Sequence, residues 1–313
     1  MTRRPPWSAA RSAALLPLLA VAGCAGTMDG AGAGRAPAPV EAAQENPIPK
    51  SLLWLHGSGE AALLARRTFS DMADYVVAAE RRRAGGAAVE SAVMAPSATL
   101  DAPRWTECGS KPAAVIFDVD ETAILNTGAN YDAATHGDPP FDAARWARWE
   151  EGGADLVEPM PGLASALATM RAAGVTVVFN SNREARFAAQ AAAAIRGAGL
   201  GEAVHGETLF LRGDIAPGSG KDPRRAAIAA RYCVLAMAGD QMGDFADAYN
   251  DRALSVAARR QRVATAPAGE RIGRGWFLLA NPAYGPWDRG GLDDLFPADR
   301  RWPRPVAPGT PAP

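Results

Sequence analysis

A chain of 313 residues with 33 basic and 34 acidic side chains, interspersed and summing to a formal charge of -1, sets up no long-range field. That balance argues against a nucleic-acid polymer or an anionic membrane surface as partner. The length is ample to bury a sizeable core, in one large domain or two small ones.

At the N-terminus, Arg3 and Arg4 precede an apolar segment from Ala9 to Ala22, and Ala22-Gly23 leads to Cys24. This reads as a secretory signal, too short for a transmembrane helix of about 20 apolar residues. Val21-Ala22-Gly23-Cys24 resembles a bacterial lipobox, in which the cysteine becomes the lipid-modified first residue; ordinary cleavage is the alternative. The expectation is an exported protein, periplasmic or at the cell surface, anchored to a membrane through Cys24. Residues 25–50, rich in Ala, Gly and Pro, read as a flexible tether. Residues 51–296 form the expected catalytic domain, and 297–313 a proline-rich tail. Three cysteines are too few for a disulfide scaffold, and the sequence leaves open whether Cys108 and Cys233 pair.

Residues 54–83 carry apolar positions at helical spacing, with Ser58 as N-cap and Leu63, Leu64, Phe69, Met72 and Tyr75 on the stripe. One long helix is predicted, ended by Gly85-Gly86, followed by irregular chain or a short helix up to Pro112. Ala113 to Phe117 is an unbroken apolar run leading into Asp118-Val119-Asp120-Glu121-Thr122. Such a run reads as a buried parallel strand, and the ends of such strands are where open α/β sheets bind ligands. Alternation points Asp118 and Asp120 to the same side. Read alone, Asp-x-Asp is equally a loop or a helix cap.

The stretch 126–149, with a short helix over Phe141 to Trp149, is a candidate cap over the site. A helix opened by Pro161-Gly162 and closed by Gly174 precedes a strand from Val175 to Phe179, which runs into Asn180-Ser181-Asn182-Arg183. A helix over 184–196, a strand at 209–211, a helix over 222–231 and a strand from Val234 to Ala238 follow; the last leads into Gly239-Asp240-Gln241-Met242-Gly243-Asp244. Trp276 to Leu279 is the last strand. The alternation predicts an α/β fold with a doubly wound parallel sheet and a small helical cap.

These strand ends, with Lys221 between them, resemble the four motifs of the haloacid dehalogenase superfamily. More narrowly, Asp118-Val119-Asp120-Glu121-Thr122, Phe179-Asn180-Ser181-Asn182-Arg183 and Gly239 to Phe245 resemble the lipoprotein acid phosphatases, the class C nonspecific acid phosphatases of that superfamily. Trp146-x-x-Trp149 and Asn281 to Trp287 extend the likeness, which runs from about Leu52 to Asp288. One departure is Leu125, where many members carry an acid before the asparagine.

The resemblance implies a Mg²⁺-dependent acid phosphatase of the Rossmann-like haloacid dehalogenase fold, acting on small phosphomonoesters such as nucleoside 5'-monophosphates. Phosphoryl transfer needs a nucleophile, a proton donor and positive charge around the moving group. The family assigns Asp118 as a nucleophile forming an aspartyl phosphate, and Asp120 as the acid and then the base. Asp118, the Asp120 carbonyl and Asp240 match its Mg²⁺ ligands, and Asp244 an outer or additional one. Lys221 and Ser181 match the groups that hold phosphate oxygens, with Asn182 beside them; Arg183 either orients the phosphate or pairs with an acid. Lys221 is the only lysine after Lys111. Trp146 and Tyr284 match positions where the family sets aromatic rings beside the substrate, unless both are packing residues. His56, His136 and His205 show no metal-ligand spacing. A homodimer is compatible with this reading, and a non-catalytic storage-type relative that keeps the fold is its alternative.

Overall fold

The computed structural model describes residues 48–302. The expected signal, Cys24, nearly all of the tether and the tail from residue 303 lie outside the described residues. In chain order the first half holds α1 (Lys50–Gly57), α2 (Gly59–Ala84), β1 (Glu90–Met94), β2 (Trp105–Glu107), β3 (Ala113–Phe117), β4 (Ile124–Leu125), α3 (Thr127–Thr135) and α4 (Ala143–Gly152). The second half holds β5 (Glu158–Pro159), α5 (Leu163–Ala172), β6 (Thr176–Glu184), α6 (Ala188–Gly197), β7 (Leu209–Arg212), α7 (Asp222–Arg231), β8 (Cys233–Gly239), α8 (Val256–Thr265), β9 (Trp276–Leu278) and α9 (Leu292–Leu295).

The central sheet runs β7-β6-β3-β8-β9, every neighbour parallel. All five residues of β3 are buried, as its unbroken apolar run requires of a strand covered on both faces. Alternation divides the side chains between two cores. Val115, Phe117, Val177, Phe179, Leu209 and Leu211 pack with residues of α2, α5 and α6; Ala114, Ile116, Val178 and Phe210 pack with α7, the β1-β2 hairpin and Trp276. A register shift in β8 opposite Ala114/Val115 interrupts the alternation, so Leu235 and Ala236 both join the first core.

Two sequence expectations need correction. The long helix over 54–83 is two helices: Ser58 is extended, ends α1, and accepts the Ala61 N–H at 3.0 Å to start α2. The cap reading of Ser58 is sound, but the apolar period continues across it and hides the break. Along α2 the buried stripe is Ala61, Ala65, Phe69, Met72, Ala73, Val76 and Ala79, while Leu63 and Leu64 are exposed. The stretch expected to be irregular before Pro112 contains the antiparallel pair β1-β2, with Glu90 opposite Glu107. Pro96 and Pro103 in its connection break the alternation that marks a strand. Residues 256–265, for which the sequence suggested no element, form α8, capped by Ser255.

Cys108 and Cys233 are joined in a disulfide across a sequence separation of 125 residues, with Cα atoms 4.7 Å apart. The bond ties the segment before β3 to the start of β8. A crosslink over so long a loop restricts the unfolded chain, so Cys108→Ser is expected to lower unfolding stability by about 2–4 kcal/mol. Urea midpoints of the variant and the oxidised protein check this; coincident midpoints would refute it.

Candidate active site

The central strands β3, β6 and β8 end on the same edge of the sheet, at the point where the chain moves from one side of β3 to the other. Asp118 extends β3 by one residue, its N–H donating to the Ala238 carbonyl at 2.9 Å. The chain then turns through Glu121, which holds φ 55°. A left-handed conformation costs a non-glycine residue about 1–3 kcal/mol and persists only where its surroundings fix it. Here they do. The buried Glu121 carboxylate accepts from Asn126 N at 3.1 Å, Asn126 Nδ2 at 2.9 Å, Asn130 Nδ2 at 3.2 Å and the Tyr284 hydroxyl. Burial, then the charge of Asp120, pushes Glu121 above the usual carboxylate range, with the Tyr284 and Asn126 hydrogen bonds offsetting part of the rise.

Asp118, Asp240 and Asp244 each present a carboxylate oxygen within 4.8 Å of the others. Lys221 Nζ bridges two of them, donating to Asp118 Oδ1 and, at 2.7 Å, to Asp244 Oδ1. Asp240 accepts from Thr122 Oγ1 at 3.2 Å and Asn281 Nδ2 at 2.7 Å. Burial lifts Asp118 to about 7, with Lys221 opposing and the Asp244 and Asp120 charges reinforcing the rise. Burial, then Asp244 and Asp118, likewise carries Asp240 well above the carboxylate range. For Lys221 burial works downward, yet its two carboxylate partners outweigh it and hold the ammonium above its usual value. One lysine thus stands among two buried acids and a half-buried one, bonding two of the three, and the cluster is short of positive charge. An all-carboxylate set of this spacing fits a hard divalent cation.

Asp120 belongs to a second hydrogen-bond network. Arg183 Nε and Nη2 both bind its Oδ1, at 2.9 and 2.8 Å, and Ser181 Oγ reaches Oδ2 at 3.3 Å. Of the two readings of Arg183, pairing with an acid is the arrangement seen. Burial opposes the guanidinium charge, but Asp120 outweighs it and raises the group above its usual value. Ser181 is fully buried, donates to Asp120 and accepts the Arg183 N–H at 3.0 Å. The structure therefore groups Ser181 with the Asp120 support and places neither it nor Arg183 on the cavity wall. Asn126 completes this support, donating to Asp120 Oδ1 at 3.1 Å and accepting from Arg183 Nη2 at 2.9 Å and Trp149 Nε1 at 3.1 Å.

The Lys221 turn is held by residues that sequence reasoning missed. Asp247 accepts the N–H groups of Lys221 at 2.8 Å and Asp222 at 2.9 Å, capping α7. The buried Arg225 binds Asp247 and the carbonyls of Gly243 and Asp244, at 2.9, 3.1 and 2.8 Å. Backbones approach closely here: a Cβ on Gly239 would lie 2.3 Å from that of Asp244, so only glycine fits. The available signal was Arg224-Arg225 three residues after Lys221, two adjacent arginines in the first turn of α7.

A cavity of about 400 Å³ opens over these groups, lined by Asp118, Asp120, Asn182, Lys221, Asp240 and Asp244 among others. Phe141, Trp146 and Tyr284 form one wall, and the same rings line a neighbouring cavity of about 410 Å³ reaching to α3 and α4. Phe141, given no role from sequence, is 75% exposed there. Of the expected site residues, Asp118, Asp120, Asn182, Lys221, Asp240, Asp244, Trp146 and Tyr284 are thus gathered around one cavity. His56 hydrogen-bonds Asn130 through Nε2 at 3.0 Å, while His136 and His205 pair with Asp132 and Asp214.

The family model described as HAD superfamily, subfamily IIIB (acid phosphatase), matches residues 60–287. The chain belongs to this family. The subfamily IIIB acid phosphatases are phosphomonoester hydrolases. Among solved structures, the class C acid phosphatase from Bacillus anthracis is similar at 22% identity and a TM-score of 0.60, covering 80% of this chain and 89% of that one. The class C acid phosphatase from Bacillus anthracis with tungstate bound is similar at 19% identity and 0.59, covering 79% and 92%. These likenesses establish the fold of the acid phosphatase. No curated protein matches the chain.

Proposed function

We propose that this acid phosphatase uses Asp118 as nucleophile and Mg²⁺ as metal, and takes nucleoside 5'-monophosphates as its preferred class of substrate. The observation that carries the proposal is one cavity with a lysine-bound carboxylate at its floor, a second acid beside it, and aromatic rings on its wall. Asp118, Asp240 and Asp244, with the Asp120 carbonyl that the family resemblance implies, would hold the cation. When bound, it supplies the positive charge that lets a phosphate dianion approach a carboxylate.

An Asp118 oxygen attacks phosphorus, the ester P–O bond breaks, and its electron pair stays on the leaving oxygen. That oxygen takes a proton from Asp120. Because Arg183 occupies Oδ1 twice, the oxygen that carries the proton is Oδ2, whose contact is the Ser181 hydroxyl. Asp120 then takes a proton from water, which attacks phosphorus and releases inorganic phosphate from Asp118. Lys221 Nζ, already on Asp118, sits where a phosphoryl oxygen would meet it as a point charge.

The substrate class rests on the rings. Stacking contributes about 1–3 kcal/mol per base and accepts different bases, because each has a π-face. The Tyr284 hydroxyl is tied to Glu121, so its ring is held in place before any substrate arrives. Trp146→Ala is expected to raise KM for adenosine monophosphate by roughly fivefold to a hundredfold while sparing a small phosphate ester; Tyr284→Ala should raise the same KM but, because it also removes a donor from Glu121, should lower kcat on both substrates. Steady-state kinetics on both substrates decides. Equal rises in KM on both would make the rings packing residues.

A further inference from the structure

Arg224 lies on the first turn of α7, three residues after Lys221. On β6, Val178, Asn180 and Asn182 share one face by alternation, and Val178 packs in the same core as Ile228 of α7. Arg224, one turn before Ile228, meets the outer end of that row, and its Nη2 donates to Asn182 Oδ1 at 2.6 Å. The guanidinium is 2% exposed, its Nε has no partner, and among the described residues no carboxylate lies within ion-pairing distance of it. Burial, with the neighbouring Arg225, pulls it down to about 10. A buried cation without a carboxylate partner is unfavourable, and an apolar side chain would serve the core better. Its one bonded partner at that end is therefore informative.

An asparagine amide has a donor end and an acceptor end and can present either to a cavity. At a site for phosphate the two are not equivalent: Nδ2 would donate to a phosphoryl oxygen, whereas Oδ1 would repel it. Arginine carries donors only, so Arg224 can bind only the oxygen end. Asn182 lines the catalytic cavity with Asp118 and Lys221, and its Nδ2 has no protein partner among the described residues.

We infer that Arg224 is a positioning residue: by holding Oδ1 of Asn182 it turns the Nδ2 donor toward the transferring phosphoryl group. The inference rests on the cavity being the phosphate site. The buried charge has a use in this arrangement, because a neutral donor in its place would polarise the amide less.

The test measures binding of inorganic phosphate to the Mg²⁺-loaded full chain, by calorimetry and by phosphate-dependent thermal stabilisation, together with kcat and KM on a small ester. Arg224→Met and Asn182→Ala are each expected to weaken phosphate binding about tenfold, and the double variant no further than either alone, since one contact acts through the other. Arg224→Lys, also a pure donor, should restore binding to within about threefold. Asn182→Asp separates positioning from structure: it gives Arg224 a carboxylate partner and should raise Tm, yet it faces phosphate with an acceptor and should weaken binding by thirtyfold or more. Unchanged phosphate affinity in Arg224→Met, additive losses in the double variant, or wild-type affinity in Asn182→Asp would overturn the inference. Absence of phosphate binding by the wild type would overturn the phosphate reading itself, and this inference with it.

Discussion

Asp118→Asn is expected to lower kcat by about 10⁴-fold or more, a loss of roughly 5 kcal/mol of transition-state stabilisation. The amide keeps the shape and still accepts from Lys221, and Lys221 keeps its 2.7 Å bond to Asp244, so the fold has no cause to yield. What goes is the proposed nucleophile. The same variant carries a stability signature. Asp118 stands at about 7 in the folded protein against 3.8 as its ordinary value, so folding favours its protonated form. In metal-free protein its contribution is full below about pH 4 and is lost as pH rises through about 7, so the asparagine variant should overtake the wild type in Tm above that point. Residual kcat within about tenfold of wild type would rule out a covalent path through Asp118.

Removing the metal should have an equally large effect. Two buried acids and a half-buried one share a single lysine, and burial first, with repulsion among the carboxylates adding to it, raises Asp118 and Asp240. Chelation followed by dialysis is expected to abolish turnover, and Mg²⁺ to restore it. Binding should also be visible without activity, since a cation at about a hundred times its Kd stabilises the folded state by about 2.7 kcal/mol. Asp240→Asn sharpens the test: it relieves repulsion from Asp244 and Asp118, so metal-free Tm should hold or rise, while the Mg²⁺-dependent gain in Tm shrinks or disappears. Full activity in metal-free buffer, or an undiminished Mg²⁺ response in the variant, would defeat the metal assignment.

The parts of this protein legible in its sequence are those fixed by local pattern. The runs at 113–117 and 234–238 are apolar without interruption, and 175–179 is broken only by the half-buried Thr176, because each strand is covered on both faces, and each is stopped by the polar residues that line the cavity or support it. Asp118, Asp120, Asn182 and Asp240 are recognisable for that reason. What local pattern does not hold is partnership. Arg183 and Asp120 are 63 residues apart, and only the fold shows that the arginine serves the acid. Glu121 directly follows the Asp-x-Asp motif, yet its importance comes from Asn126, Asn130 and Tyr284, one of them 163 residues away. The disulfide and the Asp247 cap depend on the same distant packing. The break at Ser58 failed differently: its cap chemistry was visible, but two helices with a continuous apolar period read as one.

The ties of Glu121 also decide which parts of the cap are open to change. Helix α3 is fastened to the catalytic turn through Asn126 and Asn130, and α4 through Trp149 on Asn126 and through Glu150, whose Oε2 accepts the Glu184 N–H at 2.7 Å. A substitution at any of these positions disturbs the support of Asp120 along with the shape of the pocket. Between the two helices, the segment around Asp138 to Phe141 lines the neighbouring cavity, only Phe141 reaches both, and its exposed ring has no hydrogen-bonding duty. Divergence toward a new leaving group has its least constrained route there, because that segment can be rewritten in length and chemistry without touching Asp118, Asp120, Lys221 or the groups that hold them.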